Sequence, residues 1–124
     1  MKISVITATW NSEETIEGTL RSLNAQDYSD IEHIIVDGAS TDATLDSVWR
    51  DGDRVNTVIS EKDNGIYDAL NKGIDAATGD VIGFLHSDDL YANQKVLSRI
   101  AQEFSTDGID ATYGDLAYVS KANI

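Results

Sequence analysis

Two adjacent carboxylates, Asp88 and Asp89, come at the end of residues 79–89, the part of the sequence best suited to chemistry. The residues before them are mostly apolar or glycine, with turn residues on both sides, which predicts a buried strand. Neighbouring carboxylates repel each other, so keeping both ionised usually requires a cation or several hydrogen-bond donors. Ligands of open α/β sheets bind at the carboxyl ends of the strands. The pattern predicts a divalent-metal site for an anionic, phosphorylated ligand; the alternative is an Asp-Asp turn that caps the next helix.

The composition is that of a soluble globular domain with a large negative charge. The 124 residues suffice for one small domain, and 22 acidic against 9 basic residues give a formal charge of −13. Such a charge argues against binding to nucleic acid or anionic lipid, which require basic patches. A phosphorylated ligand would need a positive partner at its site, which a bound divalent cation supplies. The lack of cysteine, of a signal peptide and of any apolar run of roughly 20 residues predicts a cytoplasmic protein without a transmembrane segment.

Apolar periodicity predicts five strands that alternate with four helices. The predicted strands cover residues 3–8, 31–36, 55–60 and 79–89, with a last short strand near 111–113. This alternation predicts an α/β fold of three layers, with helices on both faces of a mostly parallel sheet. The local expectations are helix caps at Asn11, Asp42 and Asn93, a helix stop at Gly79, core positions for Trp49 and Phe104, and a solvated or hydrogen-bonded His33.

Polar side chains follow each of the first four predicted strands, and the ends of parallel strands converge on one edge of a sheet. The candidate site residues there are Thr9, Trp10, Asp37, Ser40, Lys62, Asp63, Asp88 and Asp89. Trp10 is suited to stacking on a base, and Lys62 to offsetting phosphate charge. The sequence lacks a G-x-G-x-x-G turn, a G-x-x-x-x-G-K-[ST] loop and a G-x-S-x-G elbow. With these phosphate-binding loops and the serine-nucleophile motif excluded, the remaining interpretation is a nucleotide held by side chains, with its pyrophosphate bridged to carboxylates through a metal.

Four motifs in order resemble those of family 2 glycosyltransferases, and the resemblance covers essentially the whole chain. The motifs lie in residues 3–11, 36–42, 64–73 and 87–89. Residues 60–69 look like those of bacterial members that build surface polysaccharides. The resemblance implies a GT-A (Rossmann-like) fold, a nucleotide-diphosphate sugar donor with uridine favoured, inversion at the anomeric carbon, and a glycan or lipid-linked acceptor.

Residue by residue, the resemblance implies that Thr9 and Trp10 contact the nucleoside and that Asp37 holds the base and ribose. Asp88 would lie toward the ribose and sugar, and Asp89 would ligate Mg²⁺ or Mn²⁺. Such a cation would neutralise the charge that develops on the departing nucleoside diphosphate. The sequence departs from the family pattern at Gly38, where many relatives have a second Asp, and at Ser87, which stands in place of the first acid of D-x-D.

The family's general base is a carboxylate in the second half of the domain, and no residue of this sequence is assigned to that role. Asp115 is expected near the donor sugar instead. Residues 1–124 are therefore interpreted as the donor-binding part of a single, truncated GT-A domain without the acceptor-binding half. The alternatives are a nucleotide-sugar-binding module without transfer activity and a metal-dependent nucleotidyl- or phosphotransferase. Self-association as a homo-oligomer is expected from an uncovered sheet edge, and a peripheral position at the inner face of the membrane is left open.

Overall fold

The computed structural model describes residues 1–105, which form a four-stranded sheet with four helices. The strands are β1 (Ile3–Thr9), β2 (Ile31–Asp37), β3 (Val55–Ser60) and β4 (Val81–Phe84). The helices are α1 (Ile16–Asn24), α2 (Thr44–Asp51), α3 (Ile66–Ala76) and α4 (Val96–Phe104). The strand predicted near residues 111–113 and the role expected for Asp115 lie outside the described residues.

The sheet has the strand order β3-β2-β1-β4, and every neighbouring pair is parallel. β1 and β2 are in register from the Ile3–Ile31 pair to the Thr9–Asp37 pair. Because all strands run the same way, their carboxyl ends lie along one edge, as predicted for the candidate site. β4 spans only Val81–Phe84, so the predicted strand over residues 79–89 is too long at both ends.

The two faces of the sheet carry separate apolar clusters, which confirms the three-layer prediction. Val5 of β1 packs with Leu23 of α1 and Leu97 of α4, whereas its neighbour Ile6 packs with Ala69 of α3. This switch follows from the period of two in a strand, which points successive side chains to opposite faces. A third cluster joins α1 and α2 to β2 through Ile16, Leu20, Ile35 and Val48.

The predicted helix caps are partly correct. Asp42 accepts hydrogen bonds from the backbone N–H (2.9 Å) and the hydroxyl (2.5 Å) of Thr44, the first residue of α2. Asn93 accepts one from the N–H of Lys95, which precedes α4, so Asn93 does not cap that helix. Asn11 is not a cap: it has a φ of 46°, and its side chain accepts from the N–H of Thr41, while α1 begins only at Ile16. The left-handed backbone of Asn11 turns the chain away from β1.

Gly79 has a different role from the predicted helix stop. α3 ends at Ala76, and the N–H of Gly79 donates to Ser4 Oγ at 2.8 Å. A β-carbon on Gly79 would lie 2.5 Å from Ser4 Oγ and 2.8 Å from the Ser4 nitrogen. Glycine is required here because the chain passes directly against β1 on its way into β4.

The core position predicted for Trp49 is wrong, whereas the prediction that His33 is solvated or hydrogen-bonded is confirmed in its second form. Trp49, expected in the core, is 67% exposed on α2, because the helix turns this position away from the Val48 side that packs on the sheet. His33 is completely buried in β2 and pairs through Nε2 with the hydroxyl of Thr7 at 2.9 Å. Phe104 is half-buried. Within residues 1–105, no helix combines the length and apolarity that crossing a membrane requires.

Candidate functional site

The carboxylate of Asp37 lies beneath the edge where the strands end, and it is completely buried. Its Oδ1 accepts hydrogen bonds from the hydroxyls of Thr9 (2.7 Å) and Ser40 (2.6 Å). Its Oδ2 accepts from the N–H of Ser40 (2.9 Å) and the hydroxyl of Ser60 (3.0 Å). One carboxylate thereby fastens the end of β1, the end of β3 and the loop after β2 to one another.

These hydrogen bonds also keep Asp37 ionised. Burial by itself would raise the pKa of Asp37, but the hydrogen bonds from Ser40, Thr9 and Ser60 outweigh it and lower the pKa below its ordinary value. Four donors satisfy both carboxylate oxygens, so the charge is held without a counter-ion. Asp37 is therefore placed to position its neighbours, and its predicted contact with a base and ribose stays a prediction.

The loops after β1 and β2 brace each other above this carboxylate. The N–H of Asn11 donates to Ser40 Oγ at 2.8 Å, and the N–H of Ser12 donates to Thr44 Oγ1 at 2.8 Å. Ala39 has a φ of 64°, a strained conformation for a residue with a side chain. Backbone strain of this kind persists only where the surrounding hydrogen bonds fix the loop, as they do here.

A cavity of about 590 Å³, called the larger cavity, opens between the loops after β1, β2 and β3. Its lining consists of Ala8, Thr9, Trp10, Ser12, Gly38, Ala39, Lys62, Asp63, Gly65, Ile66, Ala69 and Ser87. Trp10 is 67% exposed and forms part of the wall, so its indole is free to pack against a bound group. A site of this size with apolar walls and a few polar groups suits a small organic ligand.

A second cavity of about 450 Å³, the smaller cavity, adjoins the first and reaches the loop after β4. Its lining consists of Ala8, Asn11, Ser12, Glu14, Thr15, Ile66, His86, Ser87 and Asp88. Ala8, Ser12, Ile66 and Ser87 line both cavities. A ligand longer than one cavity can therefore extend from Trp10 toward Asp88.

Asp88 and Asp89 lie in a turn after β4. The N–H of Asp89 donates to the carbonyl of His86 at 3.0 Å, and its own carbonyl accepts from Thr19 Oγ1 of α1 at 2.7 Å. Asp88 is exposed and lines the smaller cavity, whereas Asp89 is half-buried and is not part of either lining. The two carboxylates do not cap the next helix, because α4 begins only at Val96 and has no side-chain cap.

The acidic turn fits a cation that is shared with a ligand. Within residues 1–105, no group of three or more His, Cys, Asp or Glu side chains could hold a metal ion. Asp88 and Asp89 offer hard oxygen ligands, which Mg²⁺ and Mn²⁺ prefer, and such ions commonly complete their shell with substrate phosphates and water. The residues present would thus hold a metal only together with a phosphorylated ligand.

The structure brings most of the predicted site residues to one edge. Thr9, Trp10, Lys62 and Asp63 line the larger cavity, and Asp88 lines the smaller one. Asp37, Ser40 and Asp89 line neither cavity. Asp37 accepts hydrogen bonds from Ser40 and from Thr9 of the larger cavity, and Asp89 follows Asp88 in the turn after β4.

Sequence reasoning missed Ser12 and Ile66, which line both cavities. Ser12 Oγ donates to Ser87 Oγ at 3.1 Å, which ties the loop after β1 to the loop after β4. For Ser12, the sequence feature that could have indicated a site residue is a hydroxyl side chain in a loop that follows a strand. Ile66 is the first residue of α3 and is 50% exposed, so its apolar side chain closes the wall between the cavities.

Comparison with known proteins decides the family. The family model described as "Glycosyl transferase family 2" matches residues 4–123. This chain belongs to glycosyl transferase family 2. The sequence is 37% identical over 109 residues to an uncharacterized glycosyltransferase of Mycobacterium tuberculosis, Rv1514c, and the match covers 86% of this chain and 41% of the relative.

Two solved structures share the fold. S. aureus TarS (residues 1–349) in complex with UDP-GlcNAc gives a TM-score of 0.77 at 28% identity, over 91% of this chain and 37% of that one. The mannosyltransferase PcManGT of Pyrobaculum calidifontis, in complex with GDP-Man and Mn²⁺, gives 0.81 at 29% identity, over 87% and 33%. These matches confirm the predicted GT-A fold. The chain spans less than half the length of each of these relatives.

Proposed function

We propose that this chain binds the nucleoside diphosphate part of a sugar donor at the carboxyl edge of its sheet. The observation that carries the proposal is the pair of adjoining cavities, which runs from Trp10 on one strand-end loop to Asp88 on another. The base and ribose would occupy the larger cavity, and the diphosphate would extend into the smaller one. The bound UDP-GlcNAc of TarS and GDP-Man of PcManGT support this class of ligand, with a uridine donor proposed for this chain.

The diphosphate would need a positive partner, because the chain has 22 acidic side chains against 9 basic ones. Asp88 and Asp89 would hold Mg²⁺ or Mn²⁺ at the diphosphate, a proposal supported by the Mn²⁺ in the PcManGT complex. When bound, the cation neutralises charge on the departing diphosphate. Lys62 is exposed and lines the larger cavity alone, so it would add a second positive charge from the ribose side of the diphosphate.

The chain's own residues would act by binding and orienting the donor. Asp37 would keep Thr9 and Ser40 in place from below, and Trp10 would stack on the base. For the whole protein we propose inverting transfer of the sugar to a glycan or lipid-linked acceptor, as the family implies. That reaction needs a base to take the acceptor hydroxyl's proton, and no residue among 1–105 is assigned to the role.

The test is calorimetric titration of the 124-residue chain with UDP, in the presence of Mn²⁺ and in the presence of EDTA. The proposal predicts binding that depends on the metal. Asp89→Ala should abolish the metal-dependent part and leave the far-UV circular dichroism spectrum unchanged. Asp53→Ala, which removes an exposed charge from the turn before β3, is the matched control and should bind as the unaltered chain does.

Two other outcomes have defined meanings, the first from this titration and the second from the titration combined with assays of sugar transfer and donor hydrolysis by the same chain. Unchanged metal-dependent affinity in the Asp89→Ala variant would overturn the metal assignment. Metal-dependent UDP binding without sugar transfer or donor hydrolysis would identify the chain as a nucleotide-sugar-binding module.

A further inference from the structure

Asp63 and Gly38 both line the larger cavity, and the carboxylate of Asp63 occupies the space next to Gly38 that a side chain at position 38 would need. A β-carbon added to Gly38 would lie 3.0 Å from Asp63 Oδ2 and 3.3 Å from its Cγ. The backbone of Gly38 does not itself demand glycine, because the positive-φ glycine among residues 1–105 is Gly65. A side chain at position 38 is therefore restricted by the Asp63 carboxylate and not by the backbone conformation.

This carboxylate is held in place on both sides. Asp63 Oδ1 accepts a hydrogen bond from the N–H of Gly65 at 3.1 Å, which fixes the turn that leads into α3. The N–H of Gly38 donates to the carbonyl of Thr9 at 2.9 Å, so the facing segment continues the β1–β2 pairing. With Oδ1 engaged in the turn, Oδ2 is the oxygen beside Gly38.

A carboxylate accepts hydrogen bonds and, when ionised, donates none. A base edge placed against it must therefore present an N–H group. Uracil carries an N–H at its ring position 3, whereas cytosine has a lone pair on the same atom. A negatively charged acceptor strengthens the hydrogen bond from the uracil N–H and repels the lone pair of cytosine.

We propose that Asp63 reads the base of the donor: it accepts the N3–H of uracil and disfavours cytosine. This inference rests on the proposed function, since it assumes that the larger cavity holds the base. In the loop after β2, Gly38 has no side chain that could contact the base. Under this proposal, Asp63 in the loop after β3 supplies the acidic contact to the base instead.

The experiment compares UDP with CDP by calorimetric titration in the presence of Mn²⁺. A hydrogen bond to a charged group contributes about 1.5–3 kcal/mol, so the unaltered chain should bind UDP about 10-fold or more tighter than CDP. In the Asp63→Asn variant this ratio should fall at least about five-fold, because the amide can donate to the cytosine lone pair. Asparagine keeps an Oδ1 acceptor for Gly65, so the turn should survive, and Asp53→Asn is the charge-matched control.

A second arm tests the contact between Gly38 and Asp63. Gly38→Ala should weaken UDP binding in the unaltered chain, because its β-carbon displaces the carboxylate. The same change should have little further effect in an Asp63→Ala background, which leaves the space empty. A double-mutant cycle measures this coupling.

The outcomes separate the inference from the proposed function. UDP binding with a UDP-to-CDP ratio that Asp63→Asn leaves unchanged would overturn the reading role of Asp63 and leave donor binding standing. Failure of the unaltered chain to bind either nucleotide would contradict donor binding itself.

Discussion

At the scale of single residues, Asp37 connects three segments that end or turn at the same edge. Its two oxygens accept four hydrogen bonds, from β1, from β3 and from the loop after β2. The residue type and its position after a strand were readable from the sequence. The complete burial of Asp37 could not be read from the sequence, because it depends on the strand register that places Thr9 and Ser60 on either side of Asp37.

Asp37→Asn should destabilise the fold and weaken UDP binding together. The amide group would turn a donor toward hydroxyl and N–H groups that now donate to a carboxylate, which leaves buried polar groups unpaired. We expect the free energy of unfolding at pH 7 to fall by about 3 kcal/mol, measured by urea denaturation. Asp53→Asn should change it by less than about 0.5 kcal/mol. Equal stability of the two variants would contradict the bracing role of Asp37.

His33 should make the stability depend on pH well above the range of the carboxylates. Burial lowers the pKa of His33 from 6.5 to about 4, and its Nδ1 has no hydrogen-bond partner within residues 1–105. Between those two pH values the unfolded chain binds a proton that the folded chain does not, so stability falls as the pH falls from 6.5 toward 4. The loss amounts to about 3 kcal/mol.

Urea denaturation between pH 7.5 and pH 4.5 measures this loss. His33→Leu removes the titrating group and should flatten the dependence over that interval. Glu32 contributes at lower pH: burial opposes its ionisation, but hydrogen bonds from Thr78, Ser4 and Lys2 lower its pKa to about 2. Its share of the stability is lost as the pH falls through about 4.5 toward 2. An unaltered slope above pH 5 in the His33→Leu variant would rule out the imidazole as the source.

At the scale of elements, most of the sheet and helices followed from apolar periodicity and turn residues. The alternating order of strands and helices implies parallel pairing, and the structure has it. The errors fall where packing overrides local pattern. Asn11 braces Thr41 instead of capping α1, and Trp49 faces outward although its spacing resembles that of a core position. The joining of two cavities through Ser12 and Ser87 depends on side-chain contacts between distant loops, which no local pattern contains.

The contact of α3 with the sheet is tight at Gly73. A β-carbon there would lie 2.4 Å from Ile6 Cγ2, and Ile6 is completely buried in β1. Alanine favours helices over glycine by about 1 kcal/mol, but overpacking a core contact costs about 1–3 kcal/mol. Gly73→Ala should therefore destabilise the protein, whereas Asp75→Ala on the exposed side of α3 should be neutral or stabilising. A gain in melting temperature for Gly73→Ala would show that α3 is free to shift.

At the scale of the whole molecule, β4 lies at the edge of the sheet that residues 1–105 form, and it carries exposed apolar side chains. Ile82 is 40% and Phe84 is 48% exposed. Apolar edge strands pair readily with other chains. We expect the 124-residue chain to self-associate at high concentration, and Ile82→Lys with Phe84→Lys should shift it toward monomer in sedimentation velocity. Trp49→Lys, at an exposed apolar position on α2, is the control. A monomer at every concentration would contradict the expectation.

The central claim is that a nucleoside diphosphate and its cation lie along the carboxyl edge, from Trp10 to Asp88. Amide NMR spectra of the chain titrated with Mn²⁺ and UDP test it most directly, because the paramagnetic ion broadens the signals of nearby amides. We predict that the signals of residues 86–89 and of neighbouring Ser12 are lost only when UDP is present, while Lys2 and Thr78 at the opposite edge keep theirs. Broadening centred elsewhere, or the same broadening without UDP, would contradict it.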